Sequence, residues 1–268
     1  IDMGDTYLVA KTDPLTFATN RIGWYAVQVN ANDIAVMGAT PKWMMATVLL
    51  PERTPENEIE EIFFQLNQAC IGLNITVIGG HTEITYDIPR PLVIGVMLGE
   101  VEKGKEIRSS GARLGDSIIL TKSIAIEGCS ILAWECETKL KSFGISSEII
   151  DRGKNLLNSP GISIVRDAEI ARDSGKITSM HDPTEGGLAG GLRELAQAAD
   201  LGMNIRSEDI PISNITSQFC SALDINPLGL IASGSLLITS NAKDSENIIN
   251  SLSSEGISAS IIGSMHNK

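Results

Sequence analysis

The sequence predicts an α/β fold in two domains, and three observations lead to this prediction. Strand-like apolar runs alternate with stretches of helical periodicity along the whole chain, as in α/β architectures. The length of 268 residues allows one large domain or two of ordinary size. Aromatic residues make up only 4% of the chain, so Ile, Val, Leu and Ala must form most of the core.

The first half is predicted to contain four strands and two helices. Thr54-Pro55 supplies a cap followed by proline at the first helical position, and acidic residues fill the next turns. The charged, glycine-containing segment 102–105 is typical of a domain boundary, so we expect domains at 1–104 and 105–268. The predicted strands are 7–11, 43–50, 75–78 and 92–101, and the predicted helices are 21–38 and 54–72.

The second half repeats the alternation with longer helices, which predicts a sheet flanked by helices. The predicted strands are 117–121, 177–180, 235–239 and 258–262, and the predicted helices are 126–136, 147–157, 162–174, 188–199 and 245–252.

Charge and composition exclude several classes of protein. A net charge of −12 and a pI near 4.7 argue against broad binding to nucleic acid or to anionic membranes. No apolar run approaches the length of a membrane span, and the four cysteines lack paired spacing. We therefore expect a cytoplasmic protein with reduced thiols. Because the chain starts at Ile1 without a leader, we also expect its natural beginning to be missing.

Polar residues interrupt apolar segments at four places. Residues 11–14, 79–83 and 181–187 each follow a predicted strand, whereas residues 30–33 lie within a predicted helix. In open α/β sheets ligands bind beyond the carboxyl ends of strands, so these places predict a shared site. Taken singly, each also fits a structural role as a turn opener, a strand exit, a helix cap or a hydrogen-bonded polar residue.

The residue types at these places favour magnesium and phosphate. Asp, Asn, Thr and Glu provide the hard oxygen donors that suit Mg²⁺, and a cation would compensate a buried carboxylate such as Asp33. Gly186-Gly187 precede a helix, where amide hydrogens attract phosphate. His81 and His181 lack a second His or Cys at ligand spacing, which argues against zinc. No P-loop sequence is present.

Lys122 and Glu127 frame the segment TKSIAIEG between a predicted strand and a predicted helix. This arrangement fits contact with phosphate, and it fits a pair of surface charges equally well. Both interpretations stay open at this point.

Four segments, in order and at matching spacing, resemble the aminoimidazole ribonucleotide synthetase superfamily. This superfamily includes selenophosphate synthetase, thiamine monophosphate kinase, formylglycinamidine ribonucleotide synthetase and the E-type hydrogenase maturation protein, whose branch is the most similar. VNANDIAVMGATPKWMMATVLLP resembles the family's Asn-Asp helix and next strand, and GGHTEI its Gly-Gly-acid-Thr turn. MHDPTEGGLAGGLRELAQAA is similar to an Asp-Pro-Thr-x-Gly-Gly-Leu segment, and GDSIILTKSIAIEG to the strand that opens the second domain.

The resemblance implies a first domain that pairs with its copy to close a β-barrel across a homodimer, through the strands at 7–11, 43–50 and 92–101. It implies ATP and Mg²⁺ as cofactors, bound between the domains, and phosphorylation of a small or carbamoyl-type substrate, often at an amide oxygen. By position it assigns metal binding to Asp13, Asp33 and Asp182, and nucleotide binding to Thr12, Asn32, Gly79, Gly80, Thr82, Thr184, Gly186 and Gly187. Lys122, Glu127 and His81 are the candidate catalytic residues.

Three departures from the family pattern leave alternatives open. His81 stands where relatives usually carry an acid, the glycine-rich segment expected before Ile1 is absent, and the chain ends at Lys268 without the terminal cysteine of the maturation branch. If that end is natural, the E-type dehydratase reaction cannot proceed in the usual way. The alternatives are a kinase of the thiamine monophosphate type and a non-catalytic, nucleotide-binding regulatory or scaffolding dimer.

Overall fold

The computed structural model describes residues 1–16 and 19–268. The chain divides into two compact units, Ile1–Glu106 and Ile107–Lys268, whereas the sequence places the boundary after residue 104. Each unit is built around one sheet.

Unit 1 (Ile1–Glu106) contains a mixed four-stranded sheet in the order β1-β4-β2-β3. Strands β2 and β3 are parallel, and the other pairs are antiparallel. Its elements are β1 (Thr6–Leu15), α1 (Ile22–Ala35), β2 (Thr40–Pro51), α2 (Glu56–Gly72), β3 (Thr76–Thr85) and β4 (Leu92–Glu102).

Helix α1 covers one face of this sheet and leaves the other face less protected. On the covered face Met44, Val93 and Met97 are fully buried. On the opposite face the alternate residues of β4, Ile94 and Val96 among them, are only half-buried. An apolar sheet face is therefore incompletely covered by unit 1 alone.

Two predicted strand ends in unit 1 are wrong. Strand β1 continues to Leu15, so Thr12 and Asp13 lie inside it and not after it. Strand β3 runs through Gly79-Gly80 and on to Thr85, so these glycines form no turn. Gly80 instead allows close pairing with β2, because a Cβ there would collide with the backbone oxygen of Ala46.

The cap predicted for the second helix is also wrong by one residue. Pro55 occupies the N-cap position of α2, and the Thr54 hydroxyl donates to the backbone oxygen of Pro51 at 2.9 Å. Thr54 therefore closes the preceding turn and does not cap the helix.

Unit 2 (Ile107–Lys268) contains an antiparallel sheet in the order β6-β8-β5-β9-β7, flanked by helices. Because these strands are antiparallel, the rule that places ligands at the carboxyl ends of parallel strands does not apply to it. Its elements are β5 (Ser117–Thr121), α3 (Ile126–Glu135), α4 (Glu137–Ser142), α5 (Ser147–Lys154), α6 (Val165–Ser174), β6 (Ile177–His181), α7 (Gly187–Ala199), β7 (Gly202–Ile205), α8 (Asn214–Leu223), β8 (Leu237–Ser240), α9 (Ser245–Ser254) and β9 (Ala259–His266).

The core of unit 2 is centred on β5, all five residues of which are buried. Ile118 and Leu120 share a cluster with Leu188 and Leu195 of α7. Sequence analysis missed α4, β7 and α8, since a four-residue strand and short helices give little periodicity. Among the described residues no helix is long and apolar enough to cross a bilayer.

Candidate functional site

Three segments of unit 2 meet beside the first turn of α3: the start of that helix, the 182–187 loop before α7, and the 228–236 segment before β8. The Gly128 amide donates to the Ile231 oxygen at 3.1 Å, and the Ala232 amide donates to the Thr184 oxygen at 3.3 Å. These two backbone hydrogen bonds attach the 228–236 segment to both of its neighbours.

Several left-handed backbone conformations occur in or next to these segments. Lys122 and Ala125 have φ of 55° and 59°, values that non-glycine residues seldom adopt. Gly186 and Gly187 have φ of 80° and 63°. Strained residues often cluster at functional sites, where the surrounding structure holds them in place.

The glycine that starts α7 is required by packing as well as by its φ. A Cβ on Gly187 would lie 2.5 Å from the oxygen of Leu228 and 2.6 Å from that of Leu230. A Cβ on Gly186 would meet nothing closer than 3.5 Å, and this residue is exposed. The loop thus presents bare backbone at the N-terminus of a 13-residue helix, where amide groups and the helix dipole favour anions.

Glu127 is a buried carboxyl group in the first turn of α3. It is 1% exposed, and its Oε2 atom has no hydrogen-bond partner among the described residues. Burial raises its pKa to about 7; a hydrogen bond from Ser233 opposes this shift, and the charge of Glu185 adds to it. A carboxyl group with this pKa exchanges its proton near neutral pH.

Lys122 does not pair with Glu127 and is not on the surface, so the surface-pair interpretation is wrong. Its Nζ lies 3.2 Å from Oδ2 of Asp167 and donates to the Ser163 oxygen at 2.7 Å, with the side chain 7% exposed. Thr121 completes the cluster by donating to Oδ1 of Asp167 at 2.7 Å. Burial lowers the pKa of Lys122, and Asp167 opposes that shift. Because its ammonium group is held by these partners, Lys122 fits a positioning role better than a catalytic one.

Asp182 is buried at the end of β6, where the sequence places a site residue. The preceding His181 lies 3.1 Å from Glu194 through its Nε2 atom, and burial lowers its pKa. Thr184 donates its hydroxyl to Glu185 at 2.9 Å. The 182–187 loop thus carries several side-chain oxygen atoms that could ligate a metal, next to the start of α7.

In unit 1 the candidate metal ligands lie between β1 and α1. Asp33 forms an ion pair with Lys11, whose Nζ is 3.2 Å from its Oδ2 atom. Asn30, fully buried on the same helix, donates to the backbone oxygen of Asp13 at 3.4 Å. Asn32 is 1% exposed. The helix and the edge strand therefore bring Asp13, Asn32 and Asp33 into one region of the unit.

Gly79, Gly80, His81 and Thr82 lie elsewhere, on β3. With side chains of α2 and β2, Phe63 among them, they line a groove of about 440 Å³. His81 is exposed, and its Nε2 atom lies 3.5 Å from Glu83.

The structure does not gather all the predicted residues of unit 1. Because β1 and β3 are opposite edges of the sheet, Thr12 and Asp13 are roughly 14 Å from the β3 residues, three strand spacings away. Within residues 1–16 and 19–268, no three His, Cys, Asp or Glu side chains form a cluster suited to a metal ion. A preformed cage of three such side chains is therefore absent from the described part of the chain.

Sequence analysis missed Ser233 and Asp167, which contact two of the candidate catalytic residues. Neither belongs to a motif, and they are far along the chain from Glu127 and Lys122. Asn30 gave a signal, as a polar residue in an apolar helix, but it was not selected. Its amide group occupies the space that a side chain on Gly95 would need.

Comparison with known proteins identifies the family. The AIR synthase related protein N-terminal domain matches residues 1–101, and the C-terminal domain of the same family matches residues 113–268. The chain belongs to the AIR synthase related protein family. It has the two-domain, mixed α/β fold of that family, as the resemblance predicted.

Two curated relatives of this AIR synthase related protein are named as a hydrogenase expression/formation protein and as a carbamoyl dehydratase. A putative hydrogenase expression/formation protein of Methanocaldococcus jannaschii is 28% identical over 98% of the chain and 77% of its own length. Carbamoyl dehydratase HypE of Rhizobium leguminosarum bv. viciae is 27% identical over 97% of the chain and 71% of its own length.

Solved structures agree with this fold. The crystal structure of hydrogenase maturation protein HypE in complex with ATP has a TM-score of 0.82, with 22% identity over 100% of this chain and 78% of that one. At this identity the likeness establishes the fold alone.

Proposed function

We propose that this protein is an ATP- and Mg²⁺-dependent enzyme that activates an amide or carbamoyl-type substrate by phosphorylation. The observation that carries the proposal is the 182–187 loop, where a buried carboxylate and two left-handed glycines lead into α7. Family membership supports it, as do relatives named as a carbamoyl dehydratase and as a hydrogenase maturation protein in complex with ATP.

The residues present fit a magnesium nucleotide. At the N-terminus of α7 the exposed Gly186 carries no side chain, so phosphate oxygens can approach the backbone there, whereas Gly187 is packed against the oxygens of Leu228 and Leu230. Asp13, Asp33 and Asp182 are hard oxygen donors, and Mg²⁺ is usually held by one or two carboxylates together with phosphate.

Each residue then has a role that follows from its position. Bound MgATP would supply the phosphoryl group that activates the substrate oxygen. Asp182 would hold the cation beside the 182–187 loop of unit 2, and Asp33 stays a separate candidate cation ligand in unit 1. Lys122 fixes the backbone before α3 through its ion pair with Asp167. Glu127, whose pKa is raised to about 7, can accept or release a proton near neutral pH. Nucleotide contacts are proposed for Thr12, Asn32, Gly79, Gly80, Thr82, Thr184, Gly186 and Gly187, and substrate contact for His81.

We also propose a homodimer formed through unit 1. The half-buried face of β4 and the exposed edge strand β3 present apolar side chains, including Ile78 and Ile84, which are 51% and 60% exposed. Unpaired sheet edges and apolar faces of this kind are commonly covered by another chain. Closure of a β-barrel between two copies stays a proposal.

Calorimetric titration of MgATP tests the site. We expect binding to the wild-type chain, at least tenfold weaker binding to Asp182→Asn, and unchanged binding to Asp173→Asn, an exposed acid of α6 in the same unit. Equal affinities in all three would remove Asp182 from the site. The metal is tested by thermal melting. ATP should raise the melting temperature when Mg²⁺ is present and should no longer do so when EDTA removes the Mg²⁺.

The substrate class is tested by ADP release in the presence of carbamoylated thiols, thiamine phosphate or formylglycinamidine ribonucleotide. Stimulation by a carbamoylated thiol supports the proposal. Stimulation by thiamine phosphate supports the small-molecule kinase instead. MgATP binding without turnover of any of these would favour the regulatory or scaffolding dimer.

A further inference from the structure

Glu127 combines two properties that need an explanation. Its side chain is almost completely buried, yet Oε2 has no hydrogen-bond partner among the described residues. Buried polar atoms are nearly always satisfied, and the exceptions concentrate at sites that bind a ligand or transfer a proton. An ordinary structural carboxylate would have both oxygens paired.

Among the described residues, the groups that shift the pKa of Glu127 are Ser233 and Glu185, and neither is a cation. On the 182–187 loop, the carboxylate of Glu185 disfavours ionisation of Glu127. Lys122, on the segment before α3, is held by Asp167. The 228–236 segment contains no titratable side chain and contributes the hydroxyl of Ser233.

Several titratable groups on the elements around Glu127 are neutral or paired with each other. On α3 itself and on α8 the thiols of Cys129 and Cys220 have pKa values raised by burial, so they are neutral. On α4 and α5, Glu137 pairs with Lys141 and Lys154. The remaining charged residues of α3, α4, α5 and the 182–187 loop are Glu135, Lys139, Glu148, Asp151, Arg152 and Asp182.

Glu127 is also connected to the start of α7 through hydrogen bonds. Ser233, which bonds to its carboxyl group, directly follows Ala232, whose amide donates to the Thr184 oxygen of the loop. The carboxyl group of Glu127 is therefore connected to the N-terminal end of α7 through the 228–236 segment and the 182–187 loop.

We propose that Glu127 takes up a proton when a polyanionic ligand binds at the 182–187 loop, so that the buried carboxyl group is neutral in the complex. This inference rests on the proposed function, since it takes the magnesium nucleotide as that ligand. It assigns to Glu127 a proton-carrying role in ligand binding that needs no direct contact with the nucleotide.

The physical reason is the weak screening inside a protein. Two negative charges a few ångströms apart repel far more strongly there than in water, and MgATP carries net negative charge. Ligand binding therefore favours the protonated carboxyl group, and by linkage the protonated protein binds the ligand more tightly. In the unliganded protein, burial of Glu127 and the negative charge of Glu185 raise the pKa of Glu127 to about 7. The group is therefore partly protonated near neutral pH, where uptake of a proton is measurable.

Titration calorimetry of magnesium AMPPCP, a non-hydrolysable ATP analogue, measures proton uptake from the dependence of the binding enthalpy on the buffer. Near neutral pH we expect a fraction of a proton to be taken up by the wild-type chain and none by Glu127→Gln beyond the uptake of the ligand itself. Glu127→Gln mimics the neutral acid. If the bound ligand raises the pKa of Glu127 by about one unit, this variant should bind about fivefold tighter than wild type at about pH 8, approaching about tenfold at higher pH, and equally well at about pH 6.

Glu185→Gln is the second variant. It leaves Glu127 in place but removes its negative neighbour. The change in ligand affinity with pH should therefore occur at lower pH in this variant than in wild type. Thermal melting shows whether each variant is folded. Binding with the same proton uptake and pH profile in wild type and Glu127→Gln overturns the inference while leaving the proposed function intact. Absence of binding to the folded wild-type chain overturns both.

Discussion

The Nζ atom of Lys11 lies 3.2 Å from Oδ2 of Asp33, so an ion pair joins the edge strand β1 to helix α1. From the sequence, Asp33 was expected to be compensated by a bound cation or to be hydrogen-bonded to a neighbouring group. The structure shows that a lysine from the neighbouring strand already compensates it. This changes the expected effect of neutralising Asp33 in the unliganded protein.

Asp33→Asn should lower the free energy of unfolding by up to about 1 kcal/mol, the usual range for a partly exposed ion pair. Removal of an uncompensated charge would have raised it. Denaturant unfolding of Asp33→Asn, Lys11→Met and the double variant measures the coupling between the two side chains. If the loss of unfolding free energy in the double variant equals the sum of the losses in the two single variants, the ion pair contributes nothing to stability.

The two glycines of β3 should respond differently to alanine. At Gly80 a Cβ would collide with the Ala46 oxygen, so Gly80→Ala should lower the melting temperature markedly. At Gly79 the nearest atom to a Cβ is 3.9 Å away, so Gly79→Ala should fold as stably as wild type. If the nucleotide approaches this backbone, Gly79→Ala will still weaken MgATP binding. Unchanged affinity in this stable variant would remove Gly79 from the nucleotide site.

Glu127→Gln should change how stability depends on pH. The folded-state pKa of Glu127, about 7, lies above its ordinary value of 4.5, so the folded protein binds more protons between these pH values. The free energy of unfolding of wild type therefore falls as pH rises through this window, by about 3 kcal/mol from this group. In Glu127→Gln this decrease in the free energy of unfolding should be absent. Urea unfolding across the window should show the two proteins diverging towards high pH, and parallel curves would place the Glu127 pKa near its ordinary value.

A charge on the exposed edge strand should disrupt the proposed dimer. Ile84→Asp places a charge on β3, and its expected result is a monomeric mass by light scattering at micromolar concentration. Phe143→Asp is the matched control, because Phe143 is a similarly exposed apolar residue of unit 2, 54% against 60% for Ile84. A wild-type chain that is itself monomeric would contradict the dimer, and a dimeric Ile84→Asp would move the interface away from this strand.

The sequence by itself determined the alternation of strands and helices, and four of its segments carried the resemblance to the family. The alternation depends on local periodicity, which is why the strand 117–121 and the polar loop before α7 were placed correctly. Gly186 and Gly187 could be selected from the sequence because a glycine pair at a helix start has a local meaning. The identity of the candidate site residues came from such local signals and from the resemblance.

Only the tertiary structure decided which partners these residues have. Lys122 is held by Asp167, Asp33 by Lys11, and Glu127 faces Ser233, all across long stretches of chain. The glycines of β3 continue a strand because β2 pairs beside them, whereas the local sequence indicates a turn. Long-range pairing supplies or withholds hydrogen bonds, charges and burial that no local pattern encodes, and these determine strand ends and pKa values.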